Sequence, residues 1–193
     1  MDKKLKIALA QLNPLVGDVS GNADKLISIR SKLNSEVDLL VAPELYISGY
    51  PIDDLVLRED FLNLVESEIN KLVEITGDGK SAMIFGAPRK DNKVIKNSVY
   101  VIENGRIVAT KDKYELPNTG VFDEQRIFTQ GELEDCVKIK NVKFGLPICE
   151  DIWEKTVLEK LSKNGAEIIV AINASSFTTS KSFERDHVTL SRV

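Results

Sequence analysis

What is scarce in this chain narrows it first. Its 193 residues include two cysteines (Cys136 and Cys149), one histidine (His187), one tryptophan (Trp153) and two methionines. Two cysteines make neither a disulfide framework nor a CxxC metal spacing. One histidine leaves a Ser-His-Asp triad a single candidate base and argues against a His-rich zinc site. No apolar run approaches the ~20 residues that cross a bilayer. Basic residues are not in surplus: 26 Lys and Arg stand against 30 Asp and Glu, for a net charge of -4. They are scattered along the chain, so the basic face of a nucleic-acid binder is missing. The start, "MDKKLKIALAQLNPLVGD", lacks the long apolar stretch and small-residue cleavage site of a secretory leader, so the chain reads as cytoplasmic. A phosphate loop is missing too: "TGDGKS" ends like one, but Glu74 stands where its first Gly should be, which leaves a turn.

What is present is ordinary globular composition, 42% hydrophobic and 29% charged, with length for one domain and a substantial core. "LKIALAQL" reads as a buried first strand closed by Asn13, Pro14, Gly17 and Asp18. A helix follows, capped by Asn22 and carrying Leu26, Ile27, Ile29 and Leu33. "VDLLVAPE" is a short strand ending at Glu44, and "AMIFGAP" is another. Between them Phe61, Leu64, Val65, Ile69, Leu72 and Val73 recur at helical spacing from Glu59 to Ile75. "NSVYVIENGRIVATKDK" is a hairpin turning at Asn104-Gly105 and delivering Lys113; "CVKIKNVKFGLPIC" is a second hairpin, ending at Cys149. A helix then runs from about Trp153 to Lys163, stopped by Asn164-Gly165, and "AEIIVAINASS" is the last clear strand. Alternating strands and helices that also contain hairpins predict an α/β fold with mixed sheets covered by helices. "SFERDHVTLSRV" reads as a helix without an end signal, so the chain is expected to be cut short at Val193.

Glu44, Lys113 and Cys149 each stand where a strand gives way to a loop, the usual place for reactive groups on a sheet. Singly, each has a bland reading: an inert core thiol, a solvated lysine, a helix-start acid. Together they make chemical sense. Glu44 in a partly dry pocket would accept the Cys149 proton and return it to a leaving amine. Lys113 and a backbone N–H near Cys149 would stabilise the charge that builds on a carbonyl oxygen. Two acids, Glu150 and Asp151, directly follow the cysteine, and negative neighbours disfavour a thiolate. Their expected role is to keep the resting thiol neutral until substrate arrives.

Three stretches carry a family likeness: "APELYISGYPIDDL", "KYELPNTGVFDEQRIF" and "GLPICEDIW". The chain resembles the nitrilase (carbon–nitrogen hydrolase) superfamily, whose members use Glu, Lys and Cys in this order on an αββα sandwich of mixed sheets. Within it, the likeness is to the glutamine amidase domain of glutamine-dependent NAD synthetases. The resemblance implies that residues 1–193 form one such domain, incomplete at its C-terminus, where the family has several more strands. It implies that Cys149 attacks the side-chain amide of L-glutamine to form a thioester, with Glu44 as base and Lys113 as oxyanion partner. Tyr50, Phe122, Glu124 and Ser176 would hold the substrate. Released ammonia would pass to a separate synthetase domain that amidates deamido-NAD. The amidase step would need no cofactor and no metal, ATP and magnesium being confined to that other domain, and related amidases assemble as homo-oligomers. Thr119 departs from the pattern, standing where the branch often has Tyr.

Other residues keep plainer readings. His187 belongs to a helix surface, Cys136 to strand packing, and the Asn173 sequon to chance. Trp153 either flanks the pocket or anchors the following helix; Lys181 and Arg185 either meet a substrate carboxylate or solvate a helix start. Two rival functions remain at this level. One is a stand-alone amidase for another small amide; the other is a non-catalytic module completed by missing strands or a partner.

Overall fold

In the computed structural model, residues 4–192 are described apart from 34, 35, 119, 121, 177 and 180. The larger sheet has the order β1 (Ile7–Leu9), β2 (Leu39–Val41), β3 (Ala82–Asp91), β4 (Val94–Glu103), β5 (Arg106–Asp112). Its first three strands are parallel, and β3, β4 and β5 pair antiparallel. The smaller sheet joins β6 (Val137–Ile139) antiparallel to β7 (Val142–Gly145), and β7 parallel to β8 (Ile168–Ile169). A parallel bridge between Ile148 and Ile172 continues that last pairing.

Because successive strand side chains point to opposite faces, the larger sheet feeds two apolar layers. Leu40, Met83, Phe85, Tyr100 and Ile102 pack with Leu26 of α1 (Val19–Lys32) and with Phe61, Val65, Ile69 and Leu72 of α2 (Glu59–Ile75). Their strand neighbours Leu39, Val41, Ala82, Ile84, Val99 and Val101 turn the other way, onto Val137, Ile139, Phe144 and Ile148 beside the smaller sheet. The outer face of that sheet takes α3 (Lys155–Lys163). A side chain added at Gly145 would meet the end of the Ile169 side chain at 2.5 Å and that of Leu161 at 2.9 Å, so both would have to shift to keep the helix this close. Beyond α4 (Lys181–Leu190), Arg192 donates to the carbonyls of Ile152 and Trp153. The result is the αββα sandwich of mixed sheets that the resemblance implied.

Local turn chemistry places the hairpins as expected. Asn104 and Gly105 have φ of 52° and 72°, and Lys140 and Asn141 have 50° and 70°, the paired left-handed residues of tight hairpins. The helix over Glu59–Ile75 is also as predicted. "TGDGKS" is a turn: Gly79 has φ 70°, and Asp78 is held by the buried guanidinium of Arg30 at 2.7 Å. Three expectations fail locally. β1 is a short edge strand with Leu9 largely exposed, because β2 covers it on one side only. Asp18, not Asn22, caps α1 by accepting from Gly21 N at 3.1 Å. Asn22 lies buried inside the helix, where its amide ties the backbones of Leu15 and Ile47 together. Finally, α3 starts at Lys155, since Cys149–Ile152 forms its own 3-10 turn.

Candidate active site

The segment after β2 crosses directly over β3, where Gly86 N donates to Pro43 O (3.0 Å) and Ile47 N to Gly86 O (3.2 Å). A Cβ at Gly86 would lie 2.2 Å from Leu45 N and 2.7 Å from Glu44 Cα, so this crossing requires glycine. It leaves Glu44 only 1% exposed yet fully engaged. Glu44 Oε1 accepts from Asn97 Nδ2 (2.9 Å) and Lys113 Nζ (2.7 Å), and Oε2 accepts from Ala174 N (2.9 Å).

Lys113 leaves β5 with its own N–H donated to Asn97 O at 2.8 Å, so one residue of β4 steadies both the acid and the lysine. Its Nζ also reaches Glu124 Oε1 at 2.9 Å. Burial by itself would pull the Lys113 pKa down, but Glu44 and Glu124, with Cys149 behind them, hold it above the ordinary lysine value. Lys113 is therefore a cation fixed in the interior. Glu124 is pushed up to about 6 by burial, against the opposing pull of Lys113. Tyr50 donates its hydroxyl to Glu124 Oε1 at 3.1 Å, while Glu124 Oε2 is buried with no hydrogen-bond partner among the described residues.

Cys149 follows β7 and opens the 3-10 turn with φ 46°, a left-handed conformation that a residue with a side chain rarely adopts. Its N–H is already donated to Ile172 O at 2.9 Å, and Sγ lies 3.4 Å from Ser175 Oγ. The thiol is pushed up to about 12, first by burial and then by Glu44, with Lys113 pulling the other way. Contrary to expectation, burial and Glu44, and not Glu150 and Asp151, keep it neutral. Asp151 turns its carboxylate away, accepting from Ile148 N (2.8 Å), Tyr114 N (3.1 Å) and Glu115 N (2.7 Å). Glu150 stays half-buried. Proximity along the chain is no guide to direction in space.

Glu44, Lys113, Cys149, Tyr50 and Glu124 thus converge. Phe122 stands beside Tyr50, ring centroids 6.2 Å apart, and Lys181 Nζ lies 5.9 Å from the Phe122 ring and 5.3 Å from that of Trp153. That places Trp153 and Lys181 together with Phe122 at the rim. Ser176 is half-buried in the adjoining segment, and it is Ser175 that contacts the thiol. His187 is exposed on α4, Cys136 bonds to Leu161 O beside α3, and Thr119 lies outside the described residues. Sequence reasoning missed Asn97, Ser175, the Ala174 N–H and the structural part of Asp151. Asn97 carried one usable signal, a polar residue at the mouth of a strongly apolar strand run. Among the described residues no His, Cys, Asp and Glu group is arranged to hold a metal ion, and no helix is long and apolar enough to cross a membrane.

The fold is that of a nitrilase-type hydrolase, and the chain belongs to the carbon–nitrogen hydrolase family, whose sequence model matches residues 6–192. It is 36% identical over 194 residues to the glutamine-dependent NAD(+) synthetase of Rhodobacter capsulatus, covering 100% of this chain and 35% of that one. The glutamine-dependent NAD+ synthetase of Acinetobacter baumannii superposes with a TM-score of 0.90 at 32% identity, over 97% of this chain and 35% of that one. A nitrilase-superfamily amidase from Nesterenkonia AN1 shares the fold, with a TM-score of 0.82 at 16% identity over 97% of this chain and 71% of that one. The chain therefore spans about a third of the length of the synthetases it matches, 35% in the Rhodobacter case.

Proposed function

We propose that this chain hydrolyses the side-chain amide of L-glutamine and supplies the ammonia to an ATP-dependent NAD synthetase domain. The likeness to glutamine-dependent synthetases supports the substrate. The observation that carries the chemistry is the buried Lys113 cation, bridging Glu44 and Glu124 beside a buried thiol.

The steps follow from the charges. A thiol held up to about 12 does not ionise alone at neutral pH, so its proton leaves only as the sulfur attacks, and Glu44 takes it. The new S–C bond puts negative charge on the amide oxygen. Lys113 neutralises that charge; the Cys149 N–H is already committed to Ile172 O. Collapse breaks the C–N bond, Glu44 returns its proton to the leaving nitrogen, and ammonia departs. Water, deprotonated by Glu44, then attacks the thioester, and glutamate leaves as the thiol is restored. No cofactor takes part in this cycle; ATP and magnesium act in the synthetase domain alone.

Substrate orientation rests on the rim. Glu124 accepts from the ammonium of glutamine in this reading, which its Oε2, without a partner among the described residues, supports. In this reading Tyr50 and Phe122 flank the side chain, half-buried Ser176 contacts it from the segment beside Cys149, and Lys181 answers the α-carboxylate. We propose further that residues 1–193 belong to a single amidase domain of a homo-oligomer in the cytoplasm. The decisive assay is release of glutamate and ammonia from L-glutamine, set beside a panel of other small amides and beside Cys149→Ala. Turnover specific to glutamine and lost in the variant is expected. Equal turnover of unrelated amides would refute the substrate, and near-normal activity in Cys149→Ala would refute the nucleophile.

A further inference from the structure

Asp151 is 3% exposed, and among the described residues its carboxylate accepts hydrogen bonds only from backbone N–H groups. Those groups belong to two different segments. Ile148 N is the residue before the nucleophile, bonded at 2.8 Å, while Tyr114 N (3.1 Å) and Glu115 N (2.7 Å) directly follow Lys113. Glu44 and Lys113 are already locked by Asn97 and by the sheet, whereas Cys149 sits on a short turn in an unfavourable left-handed conformation. Such a conformation persists only where its surroundings over-determine it. One carboxylate spans the gap between that turn and the lysine segment.

We propose that Asp151 is a positioning residue: it staples the Cys149 turn to the backbone after Lys113 and so sets the thiol against the lysine. The proposal rests on Cys149 being the nucleophile. It assigns the acid beside the cysteine a geometric task in place of an electrostatic one. Asparagine cannot replace it, because an amide has a single acceptor oxygen; its NH2 would face either Ile148 N or the Tyr114–Glu115 pair, donor against donor. Released on one side, the turn relaxes, Cys149 gains water, and its thiol moves back toward ordinary acidity. Glu150, one residue nearer the thiol along the chain and half-buried, is the control: Glu150→Gln removes an acid but no staple.

The test is the rate at which iodoacetamide alkylates Cys149, followed by mapping the modified peptide so that Cys136 does not interfere. Asp151→Asn should raise the rate at about pH 8 by roughly tenfold or more and shift the pH profile to lower pH, while Glu150→Gln leaves both within about twofold. Far-UV circular dichroism and cooperative unfolding should survive in Asp151→Asn. An alkylation rate within about twofold of the parent would overturn the proposal. So would wholesale loss of the fold, since Asp151 would then be a general fold determinant. Glutamine kinetics on the same proteins separate this from the function beneath it. A parent inert toward glutamine refutes the substrate and leaves the alkylation comparison standing. In an active parent, Asp151→Asn should lower kcat by about tenfold or more with KM within about twofold, and an equal rise in KM would also overturn it.

Discussion

Lys113 shows at the scale of one residue why this interior is sensitive. A buried cation is tolerable because two carboxylates share it, and those carboxylates are tolerable because it is there. Lys113→Ala should therefore lose most activity and also destabilise the chain by about 3–5 kcal/mol in urea unfolding, since Glu44 and Glu124 would be left facing one another. Adding Glu124→Gln should recover part of the stability, because one uncompensated charge disappears; strictly additive losses would refute the shared-cation account. Cys149 gives the pH dependence. Its pKa is raised in the folded chain to about 12, against about 8.5 for an unfolded thiol. The folded state thus keeps a proton that the unfolded state surrenders, and stability falls as pH rises from about 8.5 toward 12. Cys149→Ser removes that titration, so its urea midpoint should fall less between about pH 7 and about pH 10 than the parent's does. Parallel declines would show that burial does not hold the thiol up.

Two glycines separate what a turn needs from what an element crossing needs. Gly105 in the β4–β5 turn has φ 72° and room for a Cβ, which would sit in ordinary contact with Gly77 Cα at 3.6 Å. Gly105→Ala should cost about 1 kcal/mol and about 2–4 °C in Tm, with activity preserved. Gly86 is in the middle of β3, where an added Cβ would strike the Leu45 backbone at 2.2 Å. Gly86→Ala should push the Glu44 segment off the strand, costing about 3 kcal/mol or more and abolishing turnover. If both variants behaved alike in an activity assay, the close crossing would not be what holds Glu44.

Across the whole molecule, the groups proposed to be catalytic come from both sheets: Glu44 and Lys113 from the larger, Cys149 from the smaller. The apolar layer between the sheets therefore sets the distance between base and nucleophile. Phe144, wholly buried in that layer on the strand leading to Cys149, is a critical filler. Phe144→Ala should destabilise by about 3–5 kcal/mol and lower Tm by about 10 °C. It should also lower kcat below the level explained by unfolding, measured well beneath the reduced Tm. Full activity at that temperature would mean that the sheet spacing is set elsewhere.

Legibility in the sequence followed how local each signal was. The Glu59–Ile75 helix rests on its own apolar spacing, and both hairpins rest on residues that accept left-handed backbone, so they were readable directly. Glu44, Lys113 and Cys149 were readable as strand ends, and the three quoted motifs tied them to one family. What no local pattern could reveal were the contacts that close the site. Asn97 meets Glu44 across 53 residues, Ala174 meets it across 130, and Asp151 meets Glu115 across 36. Two of those use backbone N–H groups, which every residue but proline carries and which leave no mark on the sequence. The order and chemical nature of the reactive groups are properties of the sequence by itself. Which way Asp151 points, and what holds the thiol neutral, were decided by the tertiary structure, because burial and direction exist only once the two sheets have packed.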